Sequence, residues 1–291
     1  MTKNIHSDFL KKFYFKKARN HKFRVNLRII ILVALPTANI LLTFFSESKM
    51  FYDEFEIFNL FFSLLMSVII LLYILYYYTR TIKNLLPKST YTEINNETHK
   101  GIWEMCHKTM DQINLRKLRL KIYYMKTNTV DAHITLENNT VHLFLSRGII
   151  SHSYHSSKDV ESILGHEFGH ICQGDSKLFL ITKRAFGLPI FLNNLQLILN
   201  LALTVLVIFF APGGLGACIA QLILLLIYRR LYTGFSRLRK ESEFLADSCS
   251  LIFIENSQIA KIVENYLPDI DSPNYPSRKE RLKNIESFSI I

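Results

Sequence analysis

The chain has 291 residues, a net charge of +11 and 49% hydrophobic residues. That length suggests one or two globular domains, but the apolar residues are gathered into blocks with basic flanks, which excludes an even division into core and surface. The basic excess sits at the block edges, which argues against nucleic-acid binding, and Cys106, Cys172, Cys218 and Cys249 are too scattered for a disulfide framework or a structural zinc cluster.

Residues 1–28 form a basic tail that includes Lys11, Lys12, Lys16, Lys17, Arg19, Lys22, Arg24 and Arg28. The uncharged run Ile29–Phe45 follows, then an acidic loop with Glu47, Asp53, Glu54 and Glu56, then a second uncharged run, Ile57–Tyr78. Residues 29–79 therefore read as a first transmembrane hairpin, since ~20 apolar residues cross a bilayer. The long tail and the lack of a small-residue cleavage site argue against a removable secretory signal. Lysine and arginine on the outer flanks predict a cytoplasmic N-terminus.

Residues 80–184 read as the first part of an α+β domain. Helical spacing runs from Gly101 to Leu115, and strands are expected over Leu120–Tyr124, Val130–Leu136 and Val141–Leu145, the last two around the turn-forming Asn138-Asn139. Val160, Ile163 and Leu164 then open another helix, with Ser156 and Asp159 resembling a capping box and Gly174 as its stop. This helix carries Gly165-His166-Glu167-Phe168-Gly169-His170. Histidines four apart lie on one helix face, so His166 and His170 are candidate zinc ligands and Glu167 a candidate general base for a water on that metal.

Residues 185–228 form a second apolar pair of runs around Pro212-Gly213-Gly214, more polar than the first and either transmembrane or re-entrant. With the first hairpin this predicts about four transmembrane helices. Residues 229–291 read as the second part of the catalytic domain. Catalytic zinc takes three protein ligands and keeps a position open, and Glu243 is the best third candidate. Asp247, four residues on and on the same face, can accept a hydrogen bond from a ligand histidine. Glu241 points away from that face and reads as a surface charge.

Taken together, the two N-terminal apolar runs, the strand region, His166-Glu167-Phe168-Gly169-His170 with Gly174-Asp175, the hairpin and Glu243-Phe244-Leu245-Ala246-Asp247 resemble the HtpX-type membrane metallopeptidases, gluzincins related to the CAAX prenyl proteases. The resemblance implies an α+β zincin-like metallopeptidase domain, one Zn2+ on His166, His170 and Glu243, Glu167 as base and Asp247 as its supporting carboxylate. It also implies an edge strand that receives substrate, which Asp131-Ala132-His133-Ile134 matches only at the alanine; His133 is read as a strand or substrate-groove residue. Near the C-terminus, Tyr275-Pro276 stands where the family commonly has His-Pro, with Arg281 six residues on. Tyr275 assisted by Arg281 can donate to an oxyanion, or both can be structural.

The expected activity is zinc-dependent endopeptidase cleavage at the cytoplasmic face of a membrane, in a bacterial inner membrane by composition and resemblance, on protein or peptide substrates with the lipid bilayer as a further partner. Membrane protein quality control is the first expected role. Processing of a specific or lipidated peptide is the alternative, and a catalytically inactive zinc-binding scaffold or sensor is the non-enzymatic one.

Overall fold

The structure is a computed structural model that describes residues 2–47, 91–95, 97–153, 156–175, 215–265 and 275–289, with isolated helical positions between 61 and 76. In chain order the elements are α1 (Thr2–Glu47), β1 (Tyr91–Ile94), α2 (Lys100–Gln112), β2 (Arg119–Met125), β3 (Ala132–Glu137), β4 (Thr140–Ser146), α3 (Arg147–Ser153), α4 (Ser157–Gln173), α5 (Leu215–Phe253), α6 (Ile259–Asn265) and α7 (Arg278–Ser289). They divide into two compact units. One comprises residues 1–24, 80–179 and 237–291; the other comprises 25–79 and 180–236.

The first unit is α+β with a small mixed sheet ordered β1-β2-β4-β3. β2 and β4 run parallel, while β1 and β3 pair antiparallel to their neighbours. The β3–β4 hairpin closes at Glu137↔Thr140, and Asn138 and Asn139 take positive φ of 45° and 62°. Asparagine tolerates that region, which suits a two-residue turn between twisted strands. β1 was not anticipated: its four residues are too few to show an alternating pattern.

Ile122, Ile134, Leu143 and Leu145 of the sheet join Ile102, Cys106 and Met110 of α2 and Val160, Ile163, Leu164 and Phe168 of α4 in one buried core. The motif helix is thereby fixed by apolar contacts on the face that does not carry its chemistry. Its start differs from the expected capping box. Ser156 occupies the N-cap without a side-chain bond, and the buried Asp159 instead accepts from Lys261 Nζ at 3.1 Å. Its end follows the glycine, with Gly174 left-handed at φ 67°, a conformation that costs glycine little.

The expectation of about four transmembrane helices is corrected: among the described residues, no helix is long and apolar enough to cross a membrane. The uncharged start of α5 meets Arg229 and Arg230 after Tyr228, well short of the ~20 residues that a span needs. The described N-terminal part of α1 mixes lysines and arginines with phenylalanines. Apart from isolated positions, the run 57–78 lies outside the described residues, as does 185–211. In the second unit, Arg28 of α1 donates to the Gly234 carbonyl of α5.

Candidate active site

Two helices far apart in sequence build the site, and glycine lets them meet. A Cβ on Gly165 would lie 2.6 Å from Ile254 Cγ1, and one on Gly169 would lie 2.9 Å from Cys249 Cβ and 3.0 Å from Ala246 Cα. The glycine stripe of α4 therefore seats α5 at a distance that no larger residue permits. This close approach brings Glu243 and Asp247 onto the histidine face.

The candidate ligand atoms of His166, His170 and Glu243 all lie within 4.8 Å of one another. His166 Nε2 is 3.3 Å from His170 Nε2 and 3.4 Å from Glu243 Oε2. His170 Nε2 is 4.0 Å from Glu243 Oε1. The opposite nitrogen of each ring is held by a carboxylate: His166 Nδ1 bonds Asp247 Oδ1 at 2.9 Å, and His170 Nδ1 bonds Asp175 Oδ2 at 3.1 Å. An Nδ1–H donated to a carboxylate leaves Nε2 as the lone-pair nitrogen. Two such nitrogens and a carboxylate turned toward one point form a donor set that suits zinc.

Asp247 also receives Arg281. Arg281 Nε donates to Asp247 Oδ2 at 2.9 Å, and Nη2 donates to Oδ1. Arg281 Nη1 donates to the Tyr275 hydroxyl at 2.9 Å, which in turn donates to Glu243 Oε2 at 3.1 Å. A closed circuit thus runs from His166 through Asp247, Arg281 and Tyr275 to Glu243. Arg239, one turn before Glu243, pairs with its Oε1 at 3.2 Å. Arg281 is only 2% exposed, so its guanidinium serves this circuit from inside the protein.

Two members of the site were not anticipated in these roles. Asp175 stands immediately after the Gly174 stop, and Ser242, the neighbour of Glu243, donates to the same Asp175 oxygen. A carboxylate just beyond the helix that ends on a candidate ligand was a usable signal for the first. The serine carried none, because its contact exists only once α5 lies on α4.

Burial, which disfavours charge, acts on every carboxylate here, and the neighbours decide the outcome. For Glu243, burial is outweighed by the His166 bond and the charges of Arg239 and His170, and its pKa falls well below the usual range. For Asp247, burial is outweighed by Arg281 and His166, and its pKa is also lowered. Glu167 is the exception, its pKa raised because burial exceeds the pull of His166, His170 and His133. The dependence on His133 places that edge-strand imidazole in electrostatic reach of Glu167.

Burial would lower the pKa of His166, but the bonds to Asp247 and Glu243 carry it up to about 9. In the metal-free chain this raised value stabilises the fold fully below the unfolded histidine value and is lost as pH rises through about 9. The same proton competes with a metal. Metal affinity measured by chelator competition should therefore climb by about tenfold per pH unit from neutral pH and level off above that pKa. A flat profile would show that His166 does not ligate.

The model of peptidase family M48 matches residues 96–289, which is more than half of the chain. No curated protein matches it. The matched stretch contains α4 with its two histidines, the α5 segment with Glu243 and Asp247, and the Tyr275 and Arg281 pair. The chain belongs to peptidase family M48, a family of generally zinc-dependent metallopeptidases.

Proposed function

We propose that this chain is a zinc endopeptidase that opens internal peptide bonds of extended polypeptides, with zinc held by His166, His170 and Glu243. The observation that carries the reading is the convergence of those three side chains, with ligand atoms within 4.8 Å, on the helix that bears Glu167. When bound, zinc supplies Lewis-acid polarisation of the peptide carbonyl and lowers the pKa of water toward ~7.

The remaining chemistry belongs to the protein's own groups. Glu167 accepts a proton from the attacking water and returns it to the departing amine. Its raised pKa suits both halves of that exchange, since a carboxylate of ordinary acidity returns a proton less readily. Asp247 and Asp175 keep His166 and His170 in the tautomer that presents Nε2. Arg281 holds Asp247 in place and donates to the Tyr275 oxygen, and that hydroxyl would turn its single proton from Glu243 Oε2 to the oxygen of the tetrahedral intermediate. β3 pairs only with β4 in the described sheet, so its outer edge can take substrate backbone as an added strand.

Backbone pairing reads an extended chain with little regard to sequence, which favours unfolded proteins as substrates and is in keeping with the HtpX-type resemblance and a quality-control role. The test measures metal content together with cleavage of casein and of a prenylated peptide. Zinc with casein cleavage is expected. Cleavage of the prenylated peptide alone would favour a processing protease, and zinc without cleavage of either would overturn the proposal.

Tyr275→Phe isolates one part of the mechanism, because it removes the hydroxyl and keeps the ring beside Arg239 and Arg281. Loss of one oxyanion donor lowers kcat by about 10²–10³. Steady-state kinetics on a quenched peptide should show that fall with KM little changed. A wild-type rate would make Tyr275 a packing residue.

A further inference from the structure

Residues 9–24 of α1 contain five lysines, two arginines and no acidic residue. One side of this stretch, through Tyr14, Ala18 and His21, is buried in the unit that holds the site. The Tyr14 hydroxyl reaches the Gly169 carbonyl of the motif helix at 3.5 Å, and Arg24 pairs with Glu241 of α5 at 2.8 Å. Positions 9, 13, 16, 20 and 23, spaced by four and three, share the other side, and all five are exposed. Three of them are phenylalanines: Phe9 is 62% exposed, Phe13 38% and Phe23 67%.

An exposed apolar stripe rimmed by charge marks an interaction surface. Helical geometry sets Lys12 and Arg19 along one flank of the stripe and Lys17 and Arg24 along the other. Lys17 Nζ lies 4.5 Å from the Phe13 ring centroid and 5.6 Å from that of Phe288. Glu241 neutralises Arg24, whereas Lys12, Lys16 and Arg19 make no ion pair among the described residues, so the surface is complementary to an anionic partner. A cavity of about 560 Å³ adjoins the stripe between α1, α5 and α7, and Asn20 and Phe23 belong to both. Phe244, Leu245 and Phe288 give the cavity an apolar wall, and Lys17 lines it as well. A nucleic-acid backbone or an acidic peptide has nothing to place against that wall, while a lipid brings an acyl chain and an anionic headgroup together.

We propose that this side of α1 docks on an anionic phospholipid surface: Phe9, Phe13 and Phe23 enter the boundary between headgroups and acyl chains, Lys12, Lys16 and Arg19 meet the phosphates, and the cavity takes one acyl chain. A basic helix with exposed rings binds in this way in the plane of the surface, so the docking requires no helix to cross the bilayer. Lysine suits the position, since its long chain lies along apolar surface while its ammonium stays with the headgroups. The inference stands apart from the zinc-ligand assignment. Because the same helix packs on α4 and α5, docking holds the unit that carries the site at the lipid surface.

Flotation of the full chain with vesicles of phosphatidylcholine alone, and of phosphatidylcholine mixed with phosphatidylglycerol, provides the test. Binding should be strong only on the phosphatidylglycerol vesicles and should weaken as salt is raised. A basic residue near an anionic surface is worth about fivefold in affinity. The triple variant Lys12→Gln, Lys16→Gln, Arg19→Gln should therefore bind about 100-fold less well, with the far-ultraviolet circular dichroism of the wild type. In Phe23→Trp the added indole emission should shift to the blue on phosphatidylglycerol vesicles, measured against the wild type with its single Trp103. Equal binding to both kinds of vesicle, wild-type binding by the triple variant, or an unshifted indole would each overturn the proposal. So would tighter binding of a single-stranded oligonucleotide through the same three basic residues, which would make this a nucleic-acid surface. If the triple variant does not fold, Lys16→Gln alone replaces it: about a fivefold loss is expected, and no loss would overturn the proposal.

Discussion

Glu167→Gln should lower kcat by about 10²–10⁴ while the chain still binds zinc with near wild-type affinity. Glutamine matches glutamate in shape but cannot take up a proton at neutral pH, and Glu167 is not among the three residues whose ligand atoms converge. The substitution therefore separates the base from the metal. Glu167 is held above its ordinary pKa by burial, with His166, His170 and His133 pulling the other way. The acid limb of the wild-type rate profile should consequently report this carboxyl, activity rising with pH as it ionises, and the residual rate of the variant should lack that limb. Casein hydrolysis, zinc content and the pH profile of the two proteins decide the matter. Full proteolysis by Glu167→Gln would remove the base assignment; loss of zinc together with activity would make Glu167 part of the metal-binding structure.

The features legible in the sequence were those whose cause is local. Periodic apolar residues announced α4, Gly174 announced its end, and Asn138-Asn139 announced the β3–β4 turn, because each depends on the backbone preferences of a few adjacent residues. Glu243 and Asp247 were found from ligand arithmetic: two histidines are one ligand short of a catalytic zinc site, and spacing by four placed a second acid on the same helix face. What stayed hidden depends on tertiary approach. The parallel pairing of β2 with β4, the Ser242 hydrogen bond to Asp175 and the two hydrogen bonds from Arg281 to Asp247 join segments whose distance in space no local pattern encodes. The apolar runs show the limit from the other side. Lack of charge over a stretch is the whole signal for a membrane span, and it does not say where a helix begins, so the uncharged start of α5 was read apart from the arginines of the same continuous helix.

Arg281→Met should destabilise the metal-free protein by about 3–5 kcal/mol, because it leaves Asp247 charged and buried without its main partner. Asp247 is 0% exposed and Arg281 2%, so solvent cannot replace the lost guanidinium. Methionine keeps much of the aliphatic volume, which confines the effect largely to the charge and its hydrogen bonds. Asp247 has a lowered pKa in the folded chain, so its contribution is present above the unfolded carboxyl value and disappears as pH falls through the folded one. Without Arg281 that lowering shrinks, and the acid unfolding of the variant should begin at higher pH. Urea unfolding at neutral pH and acid titration of both proteins measure the two effects. The double variant Asp247→Asn with Arg281→Met should recover part of the loss, since no unpaired charge then remains inside, but its zinc affinity should stay low because His166 Nδ1 has lost its carboxylate. An unchanged urea midpoint for Arg281→Met would mean that Asp247 is adequately held by His166 alone. The circuit through Tyr275 to Glu243 would then be a consequence of packing and not the framework of the site.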